Sequence, residues 1–402
     1  MEVTNIGLTI DRTISLLLIA ALVALIARRL HLPYTVGLVL TGVALTLLRV
    51  GSGAALTPSL IFEAFLPPLL FEAALSLHWR DLRRDALPVL VLSTVGVMLS
   101  AAVVTLGMTH LAHWPLRAAL LLGVLIAATD PVAVIATFKE NKILGRIRVL
   151  MEAESLFNDG VAAVLFGLAL AFASGPTDLT AGRALGALSA TVFGGIGVGL
   201  ACGGAAIALA GRTTDYLVET TLTAVAAYGA FLLAEHWGVS GVLATVSAGL
   251  LLGNVGVLRG DDEAPLSERG REVVIAFWDF AAFAANSLIF LLIGLDVARR
   301  SFDRLGFSAL ALAILLTLLG RALAVYPLCL PFRATRWRIE ARHQHLLFWG
   351  GMRGALALAL ALSLPETIAD RDRIVLAAFG VVTFSVVVQG LTLPPLLRRL
   401  KM

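Results

Sequence analysis

The stretch MEAESLFNDGVAAVLFGLALAFA, residues 151–173, places Glu154, Ser155, Asn158 and Asp159 inside an apolar run. On a helix, Ser155 and Asp159 stand four residues apart on one face, so a hydroxyl and a carboxylate project together. Such hard oxygen donors suit an alkali cation or a proton and serve soft metals poorly. Asp159 lies eleven residues beyond Arg148; on a helical rise of about 1.5 Å per residue that is a depth of about 16 Å. Glu154 and Asn158 form the adjacent face. Glu154 is about 140° around the helix from Asp159, so the two acids need not share a site.

Other ionisable groups interrupt apolar runs. Arg321, in LLGRALAVY, needs an anion, and Glu154 needs a cation; the two are expected to pair across helices in a structural role. In ATDPVAV, Pro131 removes a backbone donor and Asp130 precedes it, so helical geometry fails there. Freed carbonyls, with Thr129 and Asp130, would make an oxygen-rich cradle, although a proline kink alone also serves packing. In GGMRGAL, Gly350, Gly351 and Gly354 flank Arg353 and allow a similar break, where Arg353 could neutralise half-helix carbonyl ends. Glu72, in LPPLLFEAALSL, either caps a break at Pro67-Pro68 or faces a water-filled funnel. The Asn158 amide either touches the ion or orients a partner backbone. His343 and His345 fall near one membrane edge, where pH sensing is open.

These residues must be positioned by helices. The 402-residue chain is 59% hydrophobic and 14% charged, which excludes an ordinary soluble domain. Apolar runs of membrane-crossing length recur throughout. Thirteen spans are expected, at 10–30, 33–50, 57–78, 86–112, 116–138, 149–175, 183–211, 216–237, 240–254, 271–298, 306–332, 344–365 and 372–397. The ninth is short. The first lacks a basic leader and a cleavage site, so it reads as a span. With the C-terminus cytoplasmic, the loops 28–32, 79–85, 139–148, 212–215, 255–271 and 333–343 and the tail hold twenty Lys and Arg, against nine outside; this asymmetry sets the expected orientation, N-terminus outside. Cys202 and Cys329 read as buried small hydrophobes, and Gly195, Gly199 and Gly203 as a close-packing face. Basic loops of this kind do not point to nucleic acid, and the lipid bilayer is the expected surround.

The fold class expected is an all-α polytopic membrane protein. An inverted repeat would relate spans one to six and eight to thirteen, with breaks in the fifth and twelfth. Two other function classes are weaker. A cation channel would not need a proton gradient. An intramembrane enzyme using Ser155 lacks a nearby His or Lys base.

Together ATDPVAVIATFKE (128–140), ESLFNDGVAAVLF (154–166), NSLIFLLIGL (286–295) and GGMRGALALALAL (350–362) resemble the cation/proton antiporters of the NhaP and NHE type. The resemblance implies an NhaA-like antiporter fold of about thirteen transmembrane helices, six plus six, with two crossed broken helices. It implies dimerisation or scaffold spans at 10–78 and 216–298, an ion-translocating core at 86–175 and 306–397, and a linking span at 183–211. It implies Na⁺, with Li⁺ or K⁺ as alternatives, exchanged for H⁺ without a cofactor, by a homodimer in the cell inner membrane. Asp159 would be the shared ion and proton carboxylate, with Thr129, Asp130 and Ser155 as further Na⁺ ligands and Asn158 beside them. Glu154 with Arg321 would be a stabilising pair, and Arg353 and Glu72 supporting residues. Family members with Asn before the key Asp resemble electroneutral exchangers, as Asn158-Asp159 does. The long cytoplasmic tail of animal exchangers, and regulation through it, are expected to be absent.

Overall fold

The computed structural model describes residues 2–30, 32–49, 56–140, 143, 145–175, 181–259 and 264–400. Parts of the expected loops 28–32, 139–148 and 255–271 lie outside the described residues. No strand occurs among the described residues. The first helices are α1 (Glu2–Leu30), α2 (Tyr34–Leu47) and α3 (Leu66–Ser76), the last entered through a π-helical turn at Leu60–Phe65. Short α4 (Trp79–Arg84) is followed by α5 (Ala86–Val91) and α6 (Val97–Leu111), joined by a π turn at Leu92–Gly96. Two half-helices, α7 (Leu116–Leu125) and α8 (Val132–Glu140), precede the continuous α9 (Arg146–Ser174). Then come α10 (Ala181–Ala210), α11 (Tyr216–His236), α12 (Gly241–Leu251, extended by a π turn at Leu252–Val257), α13 (Glu268–Arg299) and α14 (Phe307–Cys329). A second pair of half-helices, α15 (Ala341–Trp349) and α16 (Ala355–Leu362), leads to α17 (Arg371–Phe384) and α18 (Gly390–Arg399), joined by a π turn at Ser385–Gln389.

Helical structure thus occupies each expected span range, and among the described residues seven stretches are long and apolar enough to cross a membrane, including Arg146–Ser174 and Glu268–Arg299. Large apolar side chains face outward, as a lipid surround requires: Phe193 and Phe280 are 72% and 66% exposed. Helix starts follow local chemistry. Asp215, Ser240 and Ser267 accept backbone N–H bonds at 2.9, 3.2 and 3.0 Å and cap α11, α12 and α13. Pro33 and Pro115 immediately precede α2 and α7, where a missing N–H is harmless.

Some expectations are corrected. Residues 79–84, expected as loop, form α4, because buried Leu82 and a bond from Trp79 N to Asn254 Oδ1 at 2.6 Å dock the segment. Cys329 is buried, but Cys202 is only half-buried, because α10 turns part of its surface outward. Helix α1 begins at Glu2 and α15 at Ala341, earlier than hydropathy marks, because polar residues continue a helix past the apolar zone.

Small residues set the closest approaches. A Cβ at Gly195 or Gly199 would collide with the carbonyl of Ser240 or Ala244, so this face of α10 lies directly on α12. Helices α2 and α13 cross at Gly42 and Gly294, where a Cβ on Gly294 would strike the Val39 carbonyl. Thr46 Oγ1 also donates to Leu295 O at 3.1 Å. A further long-range tie is ionic. Arg321 of α14 forks onto Glu154 of α9, Nη1 to Oε1 at 2.7 Å and Nη2 to Oε2 at 3.0 Å, with both residues buried. A bidentate guanidinium–carboxylate pair satisfies charge and geometry at once.

Two outcomes follow for stability. Gly294→Val should force α2 and α13 apart, an overpacking cost of about 1–3 kcal/mol. It should lower the unfolding temperature of detergent-solubilised protein, whereas Gly229→Ala, with nothing within 4 Å of its Cβ, should not. Glu154→Gln should leave Arg321 charged and buried without an anion, costing about 3–5 kcal/mol. The same thermal assay checks it, with Glu154→Gln/Arg321→Gln recovering part of the loss.

Candidate ion site at the crossing of two broken helices

The site is built on two interruptions. Residues 126–131 separate α7 from α8, and residues 350–354 separate α15 from α16. They touch: Asp130 N donates to Met352 O at 2.7 Å. A Cβ on Gly354 would occupy the space of the Asp130 side chain, so the second break needs glycine to lie this close.

Each free helix end at the crossing finds a partner. The Arg353 guanidinium donates through Nη1 to Ala127 O, and to Ala128 O at 2.9 Å, covering carbonyls that follow α7. Asp130 Oδ1 accepts from Val132 N at 2.9 Å, and its carboxylate also meets the backbone N–H of Ala355, so one acid faces the amino ends of α8 and α16. Arg321 donates to Leu347 O at 3.0 and 2.8 Å besides holding Glu154. Gln389 Nε2 donates to Trp349 O at 3.0 Å from the π turn of the last span.

Helix α9 supplies the remaining groups. Asn158 Oδ1 accepts from Thr129 N at 3.1 Å, while its Nδ2 reaches Thr129 Oγ1 at 2.5 Å and Glu154 Oε1 at 3.2 Å. The amide therefore orients the broken backbone and is saturated. Ser155 Oγ donates to the Thr129 carbonyl and lies 3.3 Å from Thr129 Oγ1. Ser155 and Asn158 are buried behind the break and are absent from the cavity wall.

A cavity of about 380 Å³ opens beside this arrangement. Thr129, Asp130 and Asp159 line it, with Glu72 and Ser76 of α3, Tyr34 of α2, and Asp279 and Asn286 of α13. Arg148 and Glu152, ion-paired at 2.8 Å, stand where it meets a second cavity reaching His78 and Asp81. Glu72 thus faces the cavity, the second of its two readings. Asp159 is half-buried, and among the described residues its carboxylate accepts no hydrogen bond and joins no ion pair.

Of the residues expected at the site, Thr129, Ser155, Asn158 and Glu154 are joined by hydrogen bonds, Asp130 follows Thr129 in the chain but bonds to the helix ends, and Asp159 meets Thr129 and Asp130 only across the shared cavity. Tyr34, Asp279, Asn286 and Gln389 were not anticipated. A signal existed for two of them: Asp279 and Asn286 stand seven residues apart, two turns on one face of an apolar helix.

Comparison with known proteins gives the family and the fold. Residues 15–399 match the family described as "Sodium/hydrogen exchanger, transmembrane". The Na(+)/H(+) antiporter ApNhaP of Aphanothece halophytica is 40% identical over 375 residues, 92% of this chain and 70% of that protein. The Na(+)/H(+) antiporter NhaH of Halobacillus dabanensis is 36% identical over 402 residues, 96% of each. The structure of MjNhaP1 from Methanocaldococcus jannaschii at pH 8 superposes with a TM-score of 0.78 at 21% identity, covering 98% of this chain and 99% of that one, and so shares the fold. With its broken helices crossing at Asp130 and Met352 and its match running nearly end to end, the chain belongs to the sodium/hydrogen exchanger family and is of the NhaP type.

Proposed function

We propose that this protein exchanges Na⁺ for H⁺ across a cell membrane, one for one, with the Asp159 carboxylate accepting either ion in turn. The observation that carries the reading is a contrast among three acids. Glu154 is consumed by Arg321, and Asp130 is held at two helix amino ends. Among the described residues, Asp159 alone of the three lines the cavity without a hydrogen-bond or ion-pair partner. An ionised carboxylate in such surroundings is costly until a proton or a cation neutralises it. Either occupant leaves the same net charge, so both loaded states can cross, and the empty state is penalised.

Thr129 and Asp130, on the same cavity wall, supply further oxygens for Na⁺. Ser155 and Asn158 hold the Thr129 backbone, and Ser155 contributes as a ligand only after its hydroxyl leaves the Thr129 carbonyl. Glu72 draws cations inward. Alternating access follows from movement of the core spans, 86–175 and 306–397, against a dimeric scaffold of 10–78 and 216–298, linked by 183–211. Support for that division comes from the cavity itself, since α2, α3 and α13 make one wall and the break at 128–131 with α8, α9 and α16 the other. With the C-terminus cytoplasmic, the Arg148 mouth opens inward. The cargo is a monovalent cation, and the membrane is the inner membrane of the cell.

Two outcomes test this. Asp159→Asn vesicles should show no Na⁺-dependent dissipation of a pH gradient, by pH-sensitive dye fluorescence, although the protein still folds; exchange at the parental rate would remove the single-site reading. In proteoliposomes, clamping the membrane potential to either sign should leave the exchange rate unchanged. A rate that follows the potential would mean that a net charge crosses in each cycle, so that Na⁺ and H⁺ do not exchange one for one.

A further inference from the structure

The cavity beside Asp159 has a wall that the exchange reading leaves without a task. Asp279, Ala282, Phe283 and Asn286 of α13 all line it. Their spacing puts them on one helix face. Asp279 is exposed, and Asn286 lies two turns along, about 10 Å further. Between them Phe283 stacks on Tyr34 of α2, with ring centroids 6.0 Å apart. The wall therefore runs from an acid, past an aromatic pair, to an amide.

Two buried asparagines, Asn158 behind the break and Asn286 on the cavity wall, make an instructive contrast. Asn158 uses both ends of its amide on Thr129 and Glu154. Asn286 is 7% exposed, yet its Oδ1 has no hydrogen-bond partner among the described residues. An unmade bond to a buried amide oxygen costs free energy, and a native chain retains such a group where something else supplies the partner. Asn286 lines the cavity that also holds Asp159, but this oxygen is closed off from it, so a partner that enters by the cavity meets the oxygen once the amide turns about its last bond.

We propose that Asn286 is a specificity-determining ligand of the transported cation. Its amide oxygen replaces one water of the ion's shell as the ion reaches Asp159. The proposal rests on the exchange reading above. An amide suits this task because it does not titrate. It stabilises a cation without adding a charge, so the one-for-one balance at Asp159 is undisturbed. It also acts on one half of the cycle only: when Asp159 carries a proton no cation is present, and Asn286 has nothing to hold.

The test is a Na⁺ and Li⁺ titration of exchange in proteoliposomes for the parent, Asn286→Ala, Asn286→Asp and Asp159→Asn. Asn286→Ala should raise the apparent KM for both ions about tenfold, the loss expected for one oxygen contact to a charge. Its Vmax should stay within about twofold of the parent. Its unfolding temperature should change little, since the amide oxygen makes no hydrogen bond among the described residues. Asn286→Asp, which keeps an oxygen in place, should hold KM at or below the parent's. An unchanged KM in Asn286→Ala would overturn the assignment. So would a lowered unfolding temperature with reduced Vmax at unchanged KM, the pattern of a structural residue. If Asp159→Asn still exchanges, the exchange reading itself falls. If Asp159→Asn is silent and Asn286→Ala matches the parent, only the role of Asn286 falls.

Discussion

Hydrocarbon offers no water to a backbone, so two helices broken at membrane depth expose amides and carbonyls that must be satisfied by protein. Much of the core answers that demand. Arg353 covers the carbonyls after α7, Asp130 faces the amino ends of α8 and α16, and Arg321 and Gln389 take carbonyls of α15. Glycine appears where these side chains press on backbone, as Gly351 does against Arg321 and Gly354 against Asp130. The polar residues at depth are thus in large part structural, and they are consequences of the breaks.

That assignment decides which group remains available for chemistry. Each arginine buried at depth requires oxygens, and each acid requires a cation or donors. Arg321 takes Glu154 together with Leu347 O, and Arg353 takes two carbonyls. Asp130 takes backbone N–H groups. Asp159 is left over on the cavity wall. A densely bonded polar network is rigid, and a rigid frame can hold one carboxylate at a fixed place.

Parts of this were legible from residue types alone. An unpaired charge at depth is expensive, so Glu154 and Arg321 demanded each other, and their distance in sequence was no obstacle. Pro131 and the glycines around Arg353 marked both breaks, because each residue type has a specific backbone consequence. Hydropathy placed the helical spans but missed α4, whose docking depends on Asn254, some 175 residues away in the chain. Helical spacing alone put Ser155 beside Asp159, yet its hydroxyl turns to the Thr129 carbonyl. That choice depends on where the broken backbone passes, which no spacing within α9 reveals. Gln389 and Asn286 were hidden for the same reason: a neutral amide in an apolar run carries no charge to be accounted for, and its partner is known only once the helices cross.

The position of the cavity bears on coupling. Its two walls belong to different groups of helices, and each carries oxygen-bearing side chains: Asp130 and Asp159 on one side, Glu72 and Asn286 on the other. In the proposed cycle an ion held only by the core would cross without sensing the scaffold. An ion that also touches the scaffold wall must break that contact before the core can move. The energetic barrier to leaving is then set partly by neutral oxygens and apolar rings on α13, and not by Asp159 alone. A proton on Asp159 needs no such contact, so the two loaded states meet different barriers although their charge is the same. Equal charge would make exchange indifferent to membrane potential, while unequal contacts would let the protein set the rates of the cation and proton halves independently.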